Sequence, residues 1–187
     1  MISDFKIKSD FEMEGVGIIS PFYREDERGY FLKDYEKNAL NEMGIEGEVS
    51  EVFETCSKKN VIRGMHFQTI RPQVKLIRVI RGRIRDVIVD LRADSLTFGQ
   101  YMAVELSHEL FETLVIPRGF AHGFEVMSDE AITLYKCIGD YSKESDTGIR
   151  WNDRDVGIDW HTKIPIISRK DSELMTFKEF KELYGGL

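Results

Sequence analysis

The sequence predicts a mainly β fold of jelly-roll type, a sandwich or barrel with short peripheral helices and one carboxy-terminal helix. Three observations predict it. Runs rich in β-branched and aromatic residues, bounded by turn residues, outnumber helical patterns. These runs recur at short, fairly regular spacing, the pattern of an all-β sandwich or barrel. The length of 187 residues suits one domain over 1–187, and 42% hydrophobic with 32% charged residues excludes disorder and low-complexity sequence.

Taken in order, VGIIS at 16–20 and YFLKDY at 30–35 read as strands, and EKNALNEMG at 36–44 as a helix ended by Gly44. VSEVFETCS at 49–57 and VIRGMHFQ at 61–68 follow as β segments, then KLIRVI at 75–80. Arg81-Gly82 separates that run from RIRDVIVDL, which reads as a hairpin whose tight turn uses the conformational freedom of glycine. QYMAVELS, TLVIP, GFEVM and AITLYKCI supply further strands. TFKEFKELYGG closes the chain as a helix, with Phe177, Phe180 and Leu183 at helical spacing before a glycine stop.

No apolar run approaches the roughly 20 residues that span a bilayer. The opening MISDFKIKSD lacks the apolar stretch of a signal peptide, so a soluble cytoplasmic protein without membrane contact is expected. Cys56 and Cys137 are too few for a disulfide framework, and buried free thiols are expected. A net charge of −7 argues against nucleic acid as a partner. Between Arg71 and Arg92, however, seven basic residues (Arg71, Lys75, Arg78, Arg81, Arg83, Arg85, Arg92) face two acids. That run is either a solvated outer sheet face or a pocket for an anion.

Alternation in RIRDVIVD puts Ile84, Asp86, Ile88 and Asp90 on one face and Arg83, Arg85, Val87 and Val89 on the other. A carboxylate between two isoleucines costs free energy unless partnered, so either this face is less buried than it looks or Asp86 meets a cation or a histidine, the second being expected. VIRGMHFQ (61–68) and VIPRGFAHGF (115–124) each place a histidine beside glycine in a β context. Two isolated histidines, with Gln68 two positions after the first, are a poor ligand set for a transition metal, so a barrel without metal or other cofactor is expected. His108 and His161 read as structural, hydrogen-bonded residues.

DERGYF (26–31), RGMHFQ, QVKLIRVIRG, RDVIVDLR, DSLTFG, IPRGFAHGF, LYKC, IRWND, IDW and the closing SRKD (168–171) occur in collinear order over most of the chain. Together they resemble the dTDP-4-dehydrorhamnose 3,5-epimerases. The resemblance implies a cupin jelly roll (double-stranded β-helix), metal-independent and homodimeric, with amino-terminal strands packed on the partner subunit. It implies a nucleotide-diphosphate sugar substrate, a 4-keto-6-deoxyhexose inverted on either side of its ketone during deoxysugar synthesis. Such chemistry needs a base for a carbon acid, a partner for the enolate oxygen and a proton donor on the opposite face.

By resemblance, His66 is the base and Asp171 the carboxylate paired with it. Lys75, sharing parity with Ile77 and Val79, is the cation near the C4 oxygen, and Tyr135 is the opposite-face proton donor. Tyr141 packs against the nucleotide. Arg63 and Arg28 bind the sugar and the diphosphate or nucleoside, Arg28 reaching across from the other subunit with Phe31. Gln68 and His122 line the sugar site, with Asp86 behind His122.

Departures cluster where the family holds the nucleoside. Glu51 and Phe53 stand where the family usually carries glutamine and asparagine, Lys33 replaces an acid, and His161 replaces a proline. A rebuilt base pocket would also suit another nucleotide, GDP, CDP or UDP. The same residues allow a C3-only epimerase or an inactive sugar-nucleotide-binding cupin. A ketoisomerase fits less well because RGMHFQ lacks a paired-histidine motif.

Overall fold

The computed structural model describes residues 5–187; residues 1–4, at the start of the segment that carries no signal-peptide pattern, lie outside that description. The strands are β1 (Lys6–Lys8), β2 (Gly17–Ser20), β3 (Phe22–Asp26) and β4 (Gly29–Lys33), then β5 (Val49–Lys58), β6 (Ile62–Gln68) and β7 (Val74–Arg81). They continue as β8 (Arg83–Asp90), β9 (Tyr101–Ser107), β10 (Thr113–Ile116), β11 (Phe120–Val126), β12 (Glu130–Ile138) and β13 (Asp146–Gly148). The helices are α1 (Lys37–Glu42), α2 (Arg169–Ser172) and α3 (Phe177–Tyr184).

Two sheets face each other, one in the order β1-β2-β10-β7-β12-β5 and the other β13-β6-β11-β8-β9, while β3 and β4 form a separate two-stranded sheet. The jelly-roll reading therefore holds. Between the sheets, Ile77 and Val79 of β7 meet Ile84 and Ile88 of β8, Leu114 of β10 and Phe124 of β11. Each such side chain withdrawn from water contributes about 1.5–3 kcal/mol before entropy is counted. Both sheets are also covered outside. Val87 and Val89 pack with Trp160, Phe177 and Phe180 of the carboxy-terminal segment, and Leu76 and Val115 pack with Phe5, Phe22 and Leu40. β8 is thus buried on both faces, which is why its sequence is apolar at alternate positions in either parity.

The expected hairpin at Arg81-Gly82 is not one. β7 pairs with β10 and β12, and β8 with β11 and β9, so the turn carries the chain from one sheet to the other. Glycine is nonetheless required, because φ is +77° and a Cβ would sit 2.1 Å from the Glu130 carbonyl oxygen. α3 begins with a capping box between Thr176 and Glu179 and stops at Gly185 in the left-handed conformation. Phe177 and Phe180 are buried, but Leu183 is 67% exposed and lies off the packed face. Cys137 is buried as expected; Cys56 is exposed, because β5 is the last strand of its sheet.

Candidate active site

His66 and His122 are direct partners across the β6/β11 ladder, and the register slips beside them so that Arg63 comes opposite Phe124. In a plain strand, residues three apart point to opposite faces; here the slip lets Arg63 and His66 line the same pocket. Glycine makes the slip possible. A Cβ on Gly64 (φ +129°) would lie 2.5 Å from the Gly123 Cα, and one on Gly123 would lie 2.6 Å from the Arg63 carbonyl oxygen. The glycines flanking the two histidines in the sequence are therefore the local cause of the site's shape.

The pocket opens between the sheets as a cavity of about 320 Å³. His66 enters from the five-stranded sheet, and Lys75, Cys137 and Tyr135 enter from the six-stranded sheet. Asp171 comes from α2, where Ser168 caps the helix by accepting the Asp171 backbone N–H. The His66 Nε2 and Asp171 Oδ1 are 2.8 Å apart, and Asp171 Oδ2 accepts the Gly64 backbone N–H at 3.2 Å. Burial alone would raise the Asp171 carboxyl, but these bonds outweigh it and hold it below the ordinary carboxylate range. An ionised Asp171 accepts from Nε2–H, which leaves Nδ1 of His66 as the free proton acceptor.

Lys75 is half-buried, and desolvation lowers its ammonium from the usual lysine value while Cys137, Asp146 and Asp86 oppose that shift. Its Nζ donates to the His66 carbonyl oxygen at 3.3 Å. Burial pushes the Tyr135 phenol far above its ordinary range, so it remains a proton donor throughout the neutral range. The expected partner of Asp86 is His122, whose Nε2 lies 2.8 Å from Oδ2. Desolvation raises Asp86 and lowers His122, each partner opposing the other's shift, and Asp86 Oδ1 is buried without a hydrogen bond.

At the mouth, Arg63 is exposed and donates Nε–H to Ser57 Oγ at 2.8 Å. Gln68 lines the wall, but its amide is engaged with backbone: Nε2 donates to the Arg71 and Asp140 carbonyls, and Oε1 accepts from the Ser142 N–H. It therefore fastens the loop carrying Tyr141. Glu51 accepts from Gln73 Nε2 at 2.7 Å, and Tyr141 leans toward Asp146, which pairs with Lys170 at 2.7 Å. Thr55, Gln73, Cys137 and Asp146 also line the pocket; Gln73 and Cys137 lie within QVKLIRVIRG and LYKC but were given no site role, although the parity of Thr55 with Glu51 on β5 and of Cys137 with Tyr135 on β12 was available.

Arg28 and Phe31 are not brought to this pocket. Arg28 lies in the turn between β3 and β4, paired with Asp26, and Phe31 lies on β4, 58% exposed. Of the seven basic residues between 71 and 92, Lys75 alone lines the pocket. Arg78 pairs with Asp34, Arg81 with Glu130, Arg83 with Glu105 and Arg92 with Asp90, so the run is mainly an ion-paired outer face. His108 contacts the Gly82 carbonyl, and the loop at His161 is held by Glu125. Among the described residues, no three His, Cys, Asp or Glu side chains gather as a metal-binding group, and no helix is long and apolar enough to cross a membrane.

A jelly roll whose interior holds a carboxylate-paired imidazole, an ammonium and a phenol is a cupin-type barrel fitted for proton transfer at carbon. The model of the dTDP-4-dehydrorhamnose 3,5-epimerase family matches residues 10–179, and the chain belongs to that family. The dTDP-4-dehydrorhamnose 3,5-epimerase of Methanothermobacter thermautotrophicus is 45% identical over 170 residues, 89% of this chain and 92% of that one. The crystal structure of dTDP-4-dehydrorhamnose 3,5-epimerase from Elizabethkingia anophelis superposes with a TM-score of 0.88 at 39% identity, covering 94% of this chain and 97% of the other. That of dTDP-6-deoxy-D-glucose-3,5-epimerase from Legionella pneumophila, in complex with dTDP-4-keto-L-rhamnose, gives 0.88 at 36% identity, covering 93% of each chain.

Proposed function

We propose that the chain is an isomerase that inverts C3 and C5 of a nucleotide-linked 4-keto-6-deoxyhexose, of the dTDP-4-dehydro-6-deoxyglucose kind, in deoxysugar synthesis. The observation that carries this reading is the pairing of His66 with Asp171 on one wall of the pocket and the presence of Tyr135 on the other.

In this mechanism Nδ1 of His66 takes the proton from the carbon beside the ketone. The C–H electron pair moves into the new C=C bond and the carbonyl π pair onto the C4 oxygen, beside the Lys75 ammonium, which stabilises the enolate in a partly dehydrated site. Tyr135 then gives its proton to the opposite face of the same carbon as the ketone re-forms. The phenolate recovers a proton from solvent, and His66 releases its own. Turning the ring in the pocket presents the second carbon to the same groups. The sugar lies deep, among His66, His122 and Lys75, which puts the diphosphate near Arg63 and the nucleoside toward Glu51 and Tyr141.

The chain works as one domain in this reading, since the carboxylate that orients the base comes from the carboxy-terminal segment. It works as a homodimer in which the β3/β4 sheet lays Arg28 and Phe31 over the partner subunit's pocket. The exposure of Phe31 and Tyr30 and the detachment of that sheet from the two main ones support this. β1 and β2 join the six-stranded sheet of their own chain, whereas β3 and β4 pair only with each other, so β3 and β4 are the segment suited to reach the partner.

Proton NMR in heavy water tests the proposal. With dTDP-4-keto-6-deoxyglucose, deuterium should appear at C3 and C5 with inversion at both; exchange at C3 alone would make this a single epimerase, and exchange at neither would overturn the reading. Titration with dTDP, GDP, CDP and UDP identifies the base preferred by a mouth carrying Glu51 and Phe53. Light scattering with wild type and Arg28→Ala tests the dimer: a monomeric wild type would overturn it, whereas a dimeric variant with impaired turnover supports a bridging Arg28.

A further inference from the structure

Phe53 and Tyr135 are direct cross-strand partners between β5 and β12. Their rings stack 4.6 Å apart and 10° from parallel. From the other sheet, the His122 ring approaches Tyr135 at 5.9 Å and 64°. Two residues further along β5, Thr55 also lines the pocket. Tyr135 is 8% exposed and Phe53 43%, so Phe53 forms the outer layer of this stack at the pocket mouth. Phe53 belongs to none of the three apolar clusters that hold the sheets together. An aromatic side chain placed on a solvent-facing strand, packed against one functional ring and otherwise contributing little to the core, calls for a role at that ring.

We infer that Phe53 is a positioning residue for Tyr135, holding the phenol at the angle from which it reaches the substrate face opposite His66. The inference rests on the proposed function and extends it to a residue outside the proton-transfer set. A tyrosine ring unsupported on its outer side is free to tilt toward the mouth. Proton transfer is steeply sensitive to such a displacement, whereas binding of the nucleotide is not. An enolate formed by His66 but missed by Tyr135 is reprotonated by His66 after Nδ1 has exchanged the abstracted proton for a hydron from solvent. That return gives isotope exchange on the original face without inversion, and the C–H bond broken is simply remade with a solvent-derived hydron.

The experiment follows exchange and inversion together, by proton NMR in heavy water, for wild type, Phe53→Ala, Phe53→Leu and Phe53→Tyr with the same 4-keto sugar nucleotide. Phe53→Ala should lose about tenfold to a hundredfold in kcat for inversion, and its ratio of exchange to inversion, which a change in nucleotide binding alone does not move, should rise. Phe53→Leu, which keeps apolar cover without a ring face, should show the same rise, and Phe53→Tyr should restore the wild-type ratio. If Phe53→Ala is poorly folded, Phe53→Leu carries the comparison. Exchange and inversion falling in parallel, or an unchanged ratio in a folded Ala or Leu variant, would overturn this inference while leaving the proposed function standing. A wild type with neither exchange nor inversion would overturn both.

Discussion

Nε2 of His66 and Oδ1 of Asp171 lie 2.8 Å apart, a contact that joins β6 to α2 across 105 positions of sequence. The other carboxylate oxygen holds the backbone N–H of Gly64, so one side chain fixes both the ring and the strand that carries it. His66→Ala should reduce turnover by about 10²–10⁴-fold while nucleotide affinity, read by calorimetry, stays within a few-fold. Asp171→Asn is a sharper probe. Its amide can present N–H to Nε2, which shifts the imidazole proton to Nδ1 and removes the acceptor, so kcat should fall comparably with little change in affinity. A variant of either kind that retained near wild-type kcat would remove His66 from the role of base.

Lys75 tests the enolate side of the mechanism. Lys75→Met retains the apolar length of the side chain and deletes the charge. Without that cation, kcat should fall by about 10²–10³-fold, with a smaller effect on binding of the free nucleoside diphosphate. Equal losses in kcat and nucleotide affinity, measured by steady-state kinetics and calorimetry, would place Lys75 on the nucleotide instead.

Most strands were legible from their β-rich runs between turn residues and α3 from Phe177 and Phe180 at helical spacing, whereas α1, whose one buried side chain is Leu40, was marked by its stop at Gly44. The missed pieces have physical reasons. β1, β3 and β13 are short strands lacking a clear apolar alternation, and α2 is a four-residue turn made by the Ser168 cap. The Arg81-Gly82 turn misled because a sharp reversal within one sheet and a crossing between two place the same demand on glycine. That Asp86 would meet a cation or a histidine was foreseeable from parity, since a carboxylate between Ile84 and Ile88 is costly alone, but His122 as that partner came from the resemblance. The partner of His66 was reachable only by resemblance, because nothing local links positions 66 and 171. Arg28 and Phe31 stay away from their own pocket for a reason invisible to periodicity: their sheet is separate from the two that form it.

The turn at Gly82 yields a stability prediction. With φ at +77° and a Cβ that would lie 2.1 Å from a carbonyl oxygen, Gly82→Ala must shift backbone rather than a flexible side chain. It should destabilise the fold by more than about 1 kcal/mol, read as a lower urea midpoint with an unchanged slope. An unchanged midpoint would mean that the two sheets adjust freely at this corner.

Asp90 sets part of the acid limit. Burial alone would raise its carboxyl, but bonds from Arg92, Ser95 and Thr97 outweigh that and hold it at about 2, against an ordinary 3.8. A folded value below the unfolded one means that the carboxylate adds stability above pH 3.8, lost as the pH falls toward 2. Asp90→Asn should therefore melt several degrees below wild type at neutral pH, with the gap closing over that acid window. A gap independent of pH would assign the loss to packing rather than charge.

All the described strands end by Gly148, yet the side chain that orients the imidazole is residue 171. During translation every wall of the barrel leaves the ribosome before the acid that sets the tautomer of its base. A nascent or clipped chain ending between those points carries all the described strands and a pocket lining but no tuned imidazole, so chemical competence marks a chain finished past α2.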